Sequence, residues 1–281
     1  MAISSEQLHR IFRKTERELD RLSSEKHAQA VHGFRTSSRR LETLLEEIAP
    51  RRDRQGKKLL KLLNAIRRRA GKVRDLDVQL AALRSLKVPQ EPRRKTSLMQ
   101  NLLELRLKRE AKLRKLLHKK DVRDIRKRLK QAYKAFETDG TREPLAIARQ
   151  IVASAVAGGT SMDAEKLHRC RVAVKRARYA AELAGKSPAA AEFIADLRRM
   201  QDALGNWHDW QLLTETAKRR LGEVNQSSLV AVLHNVTRGK FRQAIKAVSG
   251  PETARNNVVA TGPSDAKPTK QTLSVTHEAA A

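Results

Sequence analysis

The stretch VHGFRTSSRRLETLLE, residues 31–46, returns as LHRCRVAVKRARYAAE at residues 167–182. A shift of 136 positions superposes His32 on His168, Arg35 on Arg171, Arg39 on Lys175, Arg40 on Arg176 and Glu46 on Glu182. A second pair follows in the same order. GKVRDLDVQL from Gly71 resembles GNWHDWQLL from Gly205, which sets Gly71 on Gly205 and Asp75 on Asp209 at an offset of 134. Two motifs in one order at nearly one spacing mark an internal duplication, and each half reads as a helical bundle packed on its twin.

Helical geometry gives the first motif a meaning. At about 100° per residue, His32, Arg35 and Arg39 fall within roughly 60° of one another, with Arg40 on their flank. Phe34, Leu41, Leu44, Leu45 and Ile48 lie on the opposite side. The second copy repeats the pattern: His168, Arg171 and Lys175 share a face opposite Cys170, Val174, Ala177 and Ala181. Each helix is expected to bury its apolar stripe and turn a cationic stripe outward. If the halves are related by a pseudo-two-fold, the stripes face each other across a groove. Opposed cationic walls repel, so such a groove is stable mainly with an anion in it.

The rest of the chain is also helical in pattern. Leu, Ala, Arg, Lys and Glu dominate, and no run alternates as a strand does. The punctuation predicts ten or eleven helices near 4–21, 25–48, 53–70, 75–87, 93–118, 121–137, 143–158, 162–184, 188–203, 207–221 and 228–248. Ser4 with Gln7 has capping-box spacing, and Ser187-Pro188 puts proline at a first helical position. Residues 1–250 read as one domain, its first half about 1–140 and its second about 141–250. From Pro251 apolar periodicity stops, and residues 251–281 are expected to form a disordered tail.

Lys and Arg number 60 against 31 Asp and Glu, a net charge of +29. Residues 251–281 contain three basic and three acidic residues, so the whole excess belongs to residues 1–250. The usual partners of such a charge are nucleic acid, an anionic membrane or another polyanion. Aromatics make up only 3%, and none is interleaved with the basic clusters to stack on bases. That favours a polyanion without bases. A lone Cys170 excludes an intrachain disulfide and fits a reducing compartment. The N-terminus lacks an apolar secretory core, and no run approaches the ~20 apolar residues that span a bilayer. A cytoplasmic protein without membrane association is expected.

Plain solvation is the competing explanation for any basic helix face. Residues 106–130 illustrate it, with thirteen basic residues against three acidic and no evident pattern. Arg109 and Lys112 share a face there and are candidates to line the groove. The duplicated stripes favour binding, because their spacing recurs while the intervening residues do not. The matched histidines sit among Arg and Lys without Cys, Asp or Glu at ligand spacing, which disfavours a metal. Asp75 and Asp209, preceded by Arg74 and His208, are expected at helix starts as caps and salt-bridge partners. Asp75 with Asp77 is the one close carboxylate pair in these motifs, and the second half has Gln211 at the matching place. Clustered carboxylates for two-metal chemistry, phosphate loops and nucleophile–base signatures are all missing. No catalytic residue, metal or cofactor is expected.

The paired V/L-H-x-x-R-x-x-x-[RK]-R motifs, RDLD at 74–77, LG-x-x-x-D at 204–209 and Arg178-Tyr179 resemble the CHAD family, the conserved-histidine α-helical domains. The resemblance covers essentially residues 1–250. It implies an all-α fold of two pseudo-symmetric four-helix bundles packed around a basic central groove or pore. It also implies binding of inorganic polyphosphate and association with polyphosphate granules. Carried over by position, the binding residues are His32, Arg35, Arg39 and Arg40 in one half. In the other they are His168, Arg171, Lys175, Arg176, Arg178 and Tyr179. Arg74, Arg109, Lys112 and Arg198 are further candidate groove cations. Two positions depart from the pattern: Glu42 stands opposite Arg178, and His208 stands where relatives often have Asn. The alternative function is nucleic-acid binding through phosphate-backbone contacts.

Overall fold

The computed structural model describes residues 3–25, 28–49, 54–136, 140–156, 162–184 and 187–257, and within them the regular structure is helical throughout. In chain order the helices are α1 Ser5–Ser24, α2 Ala28–Thr43, α3 Arg54–Ser85, α4 Pro92–Arg114, α5 Lys119–Lys134, α6 Pro144–Val156, α7 Ala164–Ala181, α8 Pro188–Leu221 and α9 Ser228–Asn257. A π-helical turn, Leu44–Ile48, extends α2, and a short 3₁₀ turn, Val224–Gln226, precedes α9. The start signals act as their chemistry requires. The Ser4 hydroxyl accepts from the Gln7 amide at 3.2 Å, and the Gln7 side chain accepts from the Ser4 amide at 3.2 Å. Ser187 caps α8 by accepting from the Ala190 amide at 3.1 Å.

Two expected breaks do not occur. Residues 54–85 form one helix, as do residues 188–221, so the glycines at 71 and 205 interrupt nothing. A helix tolerates an interior glycine at a cost of about 1 kcal/mol, and packing over 32 and 34 residues outweighs it. Asp75 and Asp209 therefore lie mid-helix and are not N-caps, contrary to the expectation from sequence. The composition change at Pro251 is not a helix end either, since α9 runs on to Asn257. Residues 258–281, most of the expected tail, lie outside the described residues.

Helices adjacent in sequence pack as neighbours: α1 on α2, α2 on α3, α6 on α7, α7 on α8 and α8 on α9, while α5 closes against α1 and α3. Between the halves, α2 meets α7 and α3 meets α8. The two helices bearing the first motif thus touch each other, and so do the two bearing the second. The larger apolar core joins Phe12, Phe34 and Leu63 to Leu167, Leu197 and Trp207. A smaller one, under the far ends of α3 and α8, joins Leu76, Leu83 and Leu102 to Leu213, Ala217 and Leu233. Both draw on both halves. The long helices α3 and α8 reach from one core to the other, and this fixes the height at which their motif residues sit beside α2 and α7. Trp207 locks α8 to α9, its ring edge-to-face with Phe241 at 5.8 Å.

Candidate functional site

The apolar back of α2 is buried as its pattern requires: Val31, Phe34, Leu41 and Leu44 all lie in the core. The opposite face carries exposed His32 and Arg39, with Arg35 half-buried between them. Arg35 lies over α3, where its Nη1 donates to the Arg67 carbonyl at 3.2 Å. Gly71 makes that approach feasible, because a Cβ there would stand 2.4 Å from the same Nη1. Gly71 is thus a close-approach residue and not a helix stop. Gly205, its counterpart, has nothing within 4 Å of such a Cβ. Replacing Gly205 by alanine is accordingly expected to raise stability by about 0.5–1 kcal/mol, the gain in helix propensity. The same change at Gly71 must push the Arg35 guanidinium off its carbonyl, and the lost hydrogen bond, about 1 kcal/mol, should cancel that gain. Denaturant unfolding of the two variants measures the difference; equal gains would contradict this role for Gly71.

A cleft of about 910 Å³ opens beside Arg35 and Arg39, walled also by Arg67, Arg68, Lys72 and Asp75. Cations outnumber acids along its wall. Glu42 accepts from Arg39 at 3.2 Å and from Arg67, whose side chain is only 8% exposed. Asp75 keeps contact with solvent, but protein crowds it enough to push its carboxyl above the usual range, against the pull of Arg35, Arg171, Lys175 and Arg74.

The second copy lies within reach of the same charges. Arg171 and Lys175 on α7 are half-buried, and His168 is exposed. Burial, then the neighbouring Arg171, with lesser repulsion from Arg35 and Arg39, pushes the Lys175 ammonium down to about 8. Asp209 is raised by burial and by Asp75, and lowered by Arg171, Lys175 and Arg74. Burial lowers the His32 imidazole first, followed by Arg74, Arg35 and Arg178. Cations of the two halves therefore act on one another around Asp75 and Asp209.

The remaining sequence-derived candidates have other surroundings. Arg40 donates from Nε to Glu182 at 2.8 Å, and Arg176 donates to Glu47. These are reciprocal ties across the halves, each from the last arginine of one motif to an acid of the other. The sequence alignment set Glu46 opposite Glu182, but Glu47 makes the reciprocal bond. The π-turn explains the shift: the Ala49 amide reaches back to the Leu44 carbonyl at 2.9 Å, so the turn holds one extra residue. Arg178 is also tied, to Glu182 and to Gln201 at 2.8 Å each, and lies 4.8 Å over the Tyr179 ring. Tyr179 itself is buried.

Arg40 and Arg198 line a separate cleft of about 300 Å³ with Arg10, Lys14 and Glu182. Arg109 and Lys112 stand on α4 and line neither cleft. Asp77 faces away from Asp75 and accepts from Arg106 at 2.6 Å. Among the described residues, no three His, Cys, Asp or Glu side chains converge to hold a metal ion, and no helix is long and apolar enough to cross a membrane.

One residue escaped the sequence reading of the site. His208, placed by sequence only before Asp209 and as a departure from the family pattern, has its ring 5.4 Å from that of His168. Burial, then Arg171, His168 and Lys175, push it down to about 3, which keeps it neutral.

Residues 6–218 match the family model described as the CHAD domain. No curated protein matches the chain. Among solved structures, the CHAD domain from the plant Ricinus communis is 18% identical and superposes with a TM-score of 0.60 over 93% of each chain. At that identity the likeness establishes the fold.

Proposed function

The chain belongs to the CHAD domain family, and from that premise we propose that it binds inorganic polyphosphate without transforming it. Arg35 and Arg39 on α2 meet Arg171 and Lys175 on α7 across a basic groove between two pseudo-symmetric four-helix bundles. The observation that carries this reading is the packing of α2 on α7, which brings the two motif helices together beside the cleft lined by Arg35 and Arg39. Polyphosphate carries about one negative charge per unit and offers only non-bridging oxygens, which arginine grips bidentately and lysine meets as a point charge. Asp75 and Asp77 do not act as a pair, since Asp77 is engaged by Arg106 on another face. Recruitment to polyphosphate granules in the cytoplasm is the role this reading assigns.

The salt dependence of affinity tests it. Four phosphate contacts with the counterion release of a single-stranded polyanion should weaken binding about 50-fold between roughly 50 and 200 mM salt. A change below about threefold would remove the electrostatic basis of the proposal. Phosphate release with Mg²⁺ or Mn²⁺ that vanishes in D75N/D77N would overturn its non-catalytic part.

A further inference from the structure

A third cleft, of about 450 Å³, opens between α6, α7 and the π-turn. Its α6 wall is Ile147, Gln150, Ile151 and Ser154, the same spacing at which α1 gives Gln7, Arg10, Ile11 and Lys14 to the Arg40 cleft. On the next helix Ala173 and Arg176 stand where Ser37 and Arg40 stand, at the 136-position shift of the duplicated motif. The two clefts occupy matching places, but their chemistry differs. The α1 wall carries two cations and the α6 wall none, while Ile147 and Ala173 replace two polar side chains. The floor is therefore apolar, and exposed Arg142, Arg169 and Arg176 form its rim. The one acid in the wall, Glu47, is taken by Arg176. Val172, 40% exposed, shares a face of α7 with Arg169, Ala173 and Arg176 and lengthens the apolar strip. That face is turned by roughly 120° from the stripe of His168, Arg171 and Lys175. An apolar patch with a polar rim marks an interaction surface.

We infer that this cleft docks an amphipathic helix of another protein, one with apolar side chains at i and i+4 and acidic residues on its flanks. The surface goes beyond the polyphosphate groove and stands without it. An apolar row of such a helix fits the furrow between α6 and α7 as ridge into groove, and the small Ala155 and Ala173 admit close approach. Its flanking carboxylates meet the three rim arginines. Charge and shape select this occupant over the others. A second copy would bring a net charge of +29 against +29. Inorganic polyphosphate would leave the apolar floor uncovered, and a membrane surface does not fill a concave cleft.

The full chain is titrated with a fluorescent peptide of about five helical turns, leucine at i, i+4 and i+7 and glutamate on both flanks. Saturable binding below about 1 mM is expected, and its absence would overturn the docking surface. A sibling peptide with serine for leucine keeps the charge and should bind at least about tenfold more weakly; parity would mean that charge alone is read. V172N/A173N should lose about fivefold through the apolar floor while keeping its polyphosphate affinity, which shows that it is folded. R142E/R169E should lose about tenfold. R10E/K14E makes the same charge change in the matching cleft and should lose under about threefold. Equal losses in the two reversal variants, or wild-type binding by V172N/A173N, would each overturn the inference.

A second measurement locates the contact. In protein with ¹³C-labelled isoleucine and valine methyl groups, the peptide should shift Ile147, Ile151 and Val172 and leave Ile11 in place. Equal shifts at Ile11 would overturn the assignment to the α6 cleft. Two further outcomes name other occupants, and either one overturns the proposal. Displacement of the peptide by phosphatidylglycerol vesicles would assign the face to a membrane. Self-association of the chain that V172N/A173N abolishes would assign it to a second copy.

Discussion

Reversing Arg35 and Arg171 together, R35E/R171E, is expected to weaken polyphosphate binding by at least about 100-fold, two charge-assisted contacts at about 1.5 kcal/mol or more each. Each reversal removes a donor fork and puts a carboxylate beside Asp75 and Asp209, which already crowd the same space. The matching control is K119E/K120E at the exposed start of α5. It changes net charge by the same amount, but these side chains are screened by salt, so a loss below about fivefold is expected. Equilibrium binding of labelled polyphosphate to both double variants, with folding checked by circular dichroism, decides the matter. Equal losses would mean that a diffuse positive field does the binding and the motif cations have no special part.

Removing Glu182 should unsettle the junction of the halves more than any other single charge there. Its carboxylate accepts from Arg40 at 2.7 Å and from Arg178 at 2.8 Å, and it is only 13% exposed. E182A strands two half-buried guanidinium groups, a change expected to cost about 3 kcal/mol, toward the range for breaking a buried pair. Denaturant unfolding measures it, and a loss under about 0.5 kcal/mol, typical of exposed pairs, would show that the tie is weak. The affinity of the same variant separates two roles for Arg40. If Arg40 contacts the polyanion, E182A frees it and binding tightens. If Arg40 is a tie between the halves, binding weakens together with stability. The tie to Glu182 leads us to expect the second outcome; Glu47 holds Arg176 in the same way across the junction, with that guanidinium 47% exposed.

The helical class and the apolar backs of α2 and α7 were legible because burial imposes a period on the sequence, and Phe34 and Val174 obey it. The continuity of α3 and α8 was not. A glycine inside a helix looks like punctuation until its neighbour is known, and the neighbour of Gly71 is Arg35, 36 positions away in sequence. The π-turn was equally hidden, since one extra residue leaves the apolar pattern intact while moving the acid of the tie from Glu46 to Glu47. Among the candidate cations, Arg40, Arg176 and Arg178 carry the same charge as Arg35 and Arg171. Only contacts such as the one between Arg40 and Glu182, 142 positions apart, reveal which of them face protein. His208 stood out in the sequence only by its place before Asp209 and its departure from the family pattern; its approach to His168 is a property of packing.

The most direct measurement is a competition. Labelled long-chain polyphosphate is bound to the full chain at near-physiological salt and challenged with duplex DNA and with RNA at equal phosphate concentration. Aromatic side chains are scarce, and those within the basic motifs, Phe34 and Tyr179, are buried, so nucleic acid has little beyond its phosphates to offer the protein. Polyphosphate, with more charge per length and no bulk of bases and sugars, should hold its place, with at least about tenfold excess of either competitor needed for half displacement. Displacement by DNA or RNA at parity would contradict polyphosphate binding as the function.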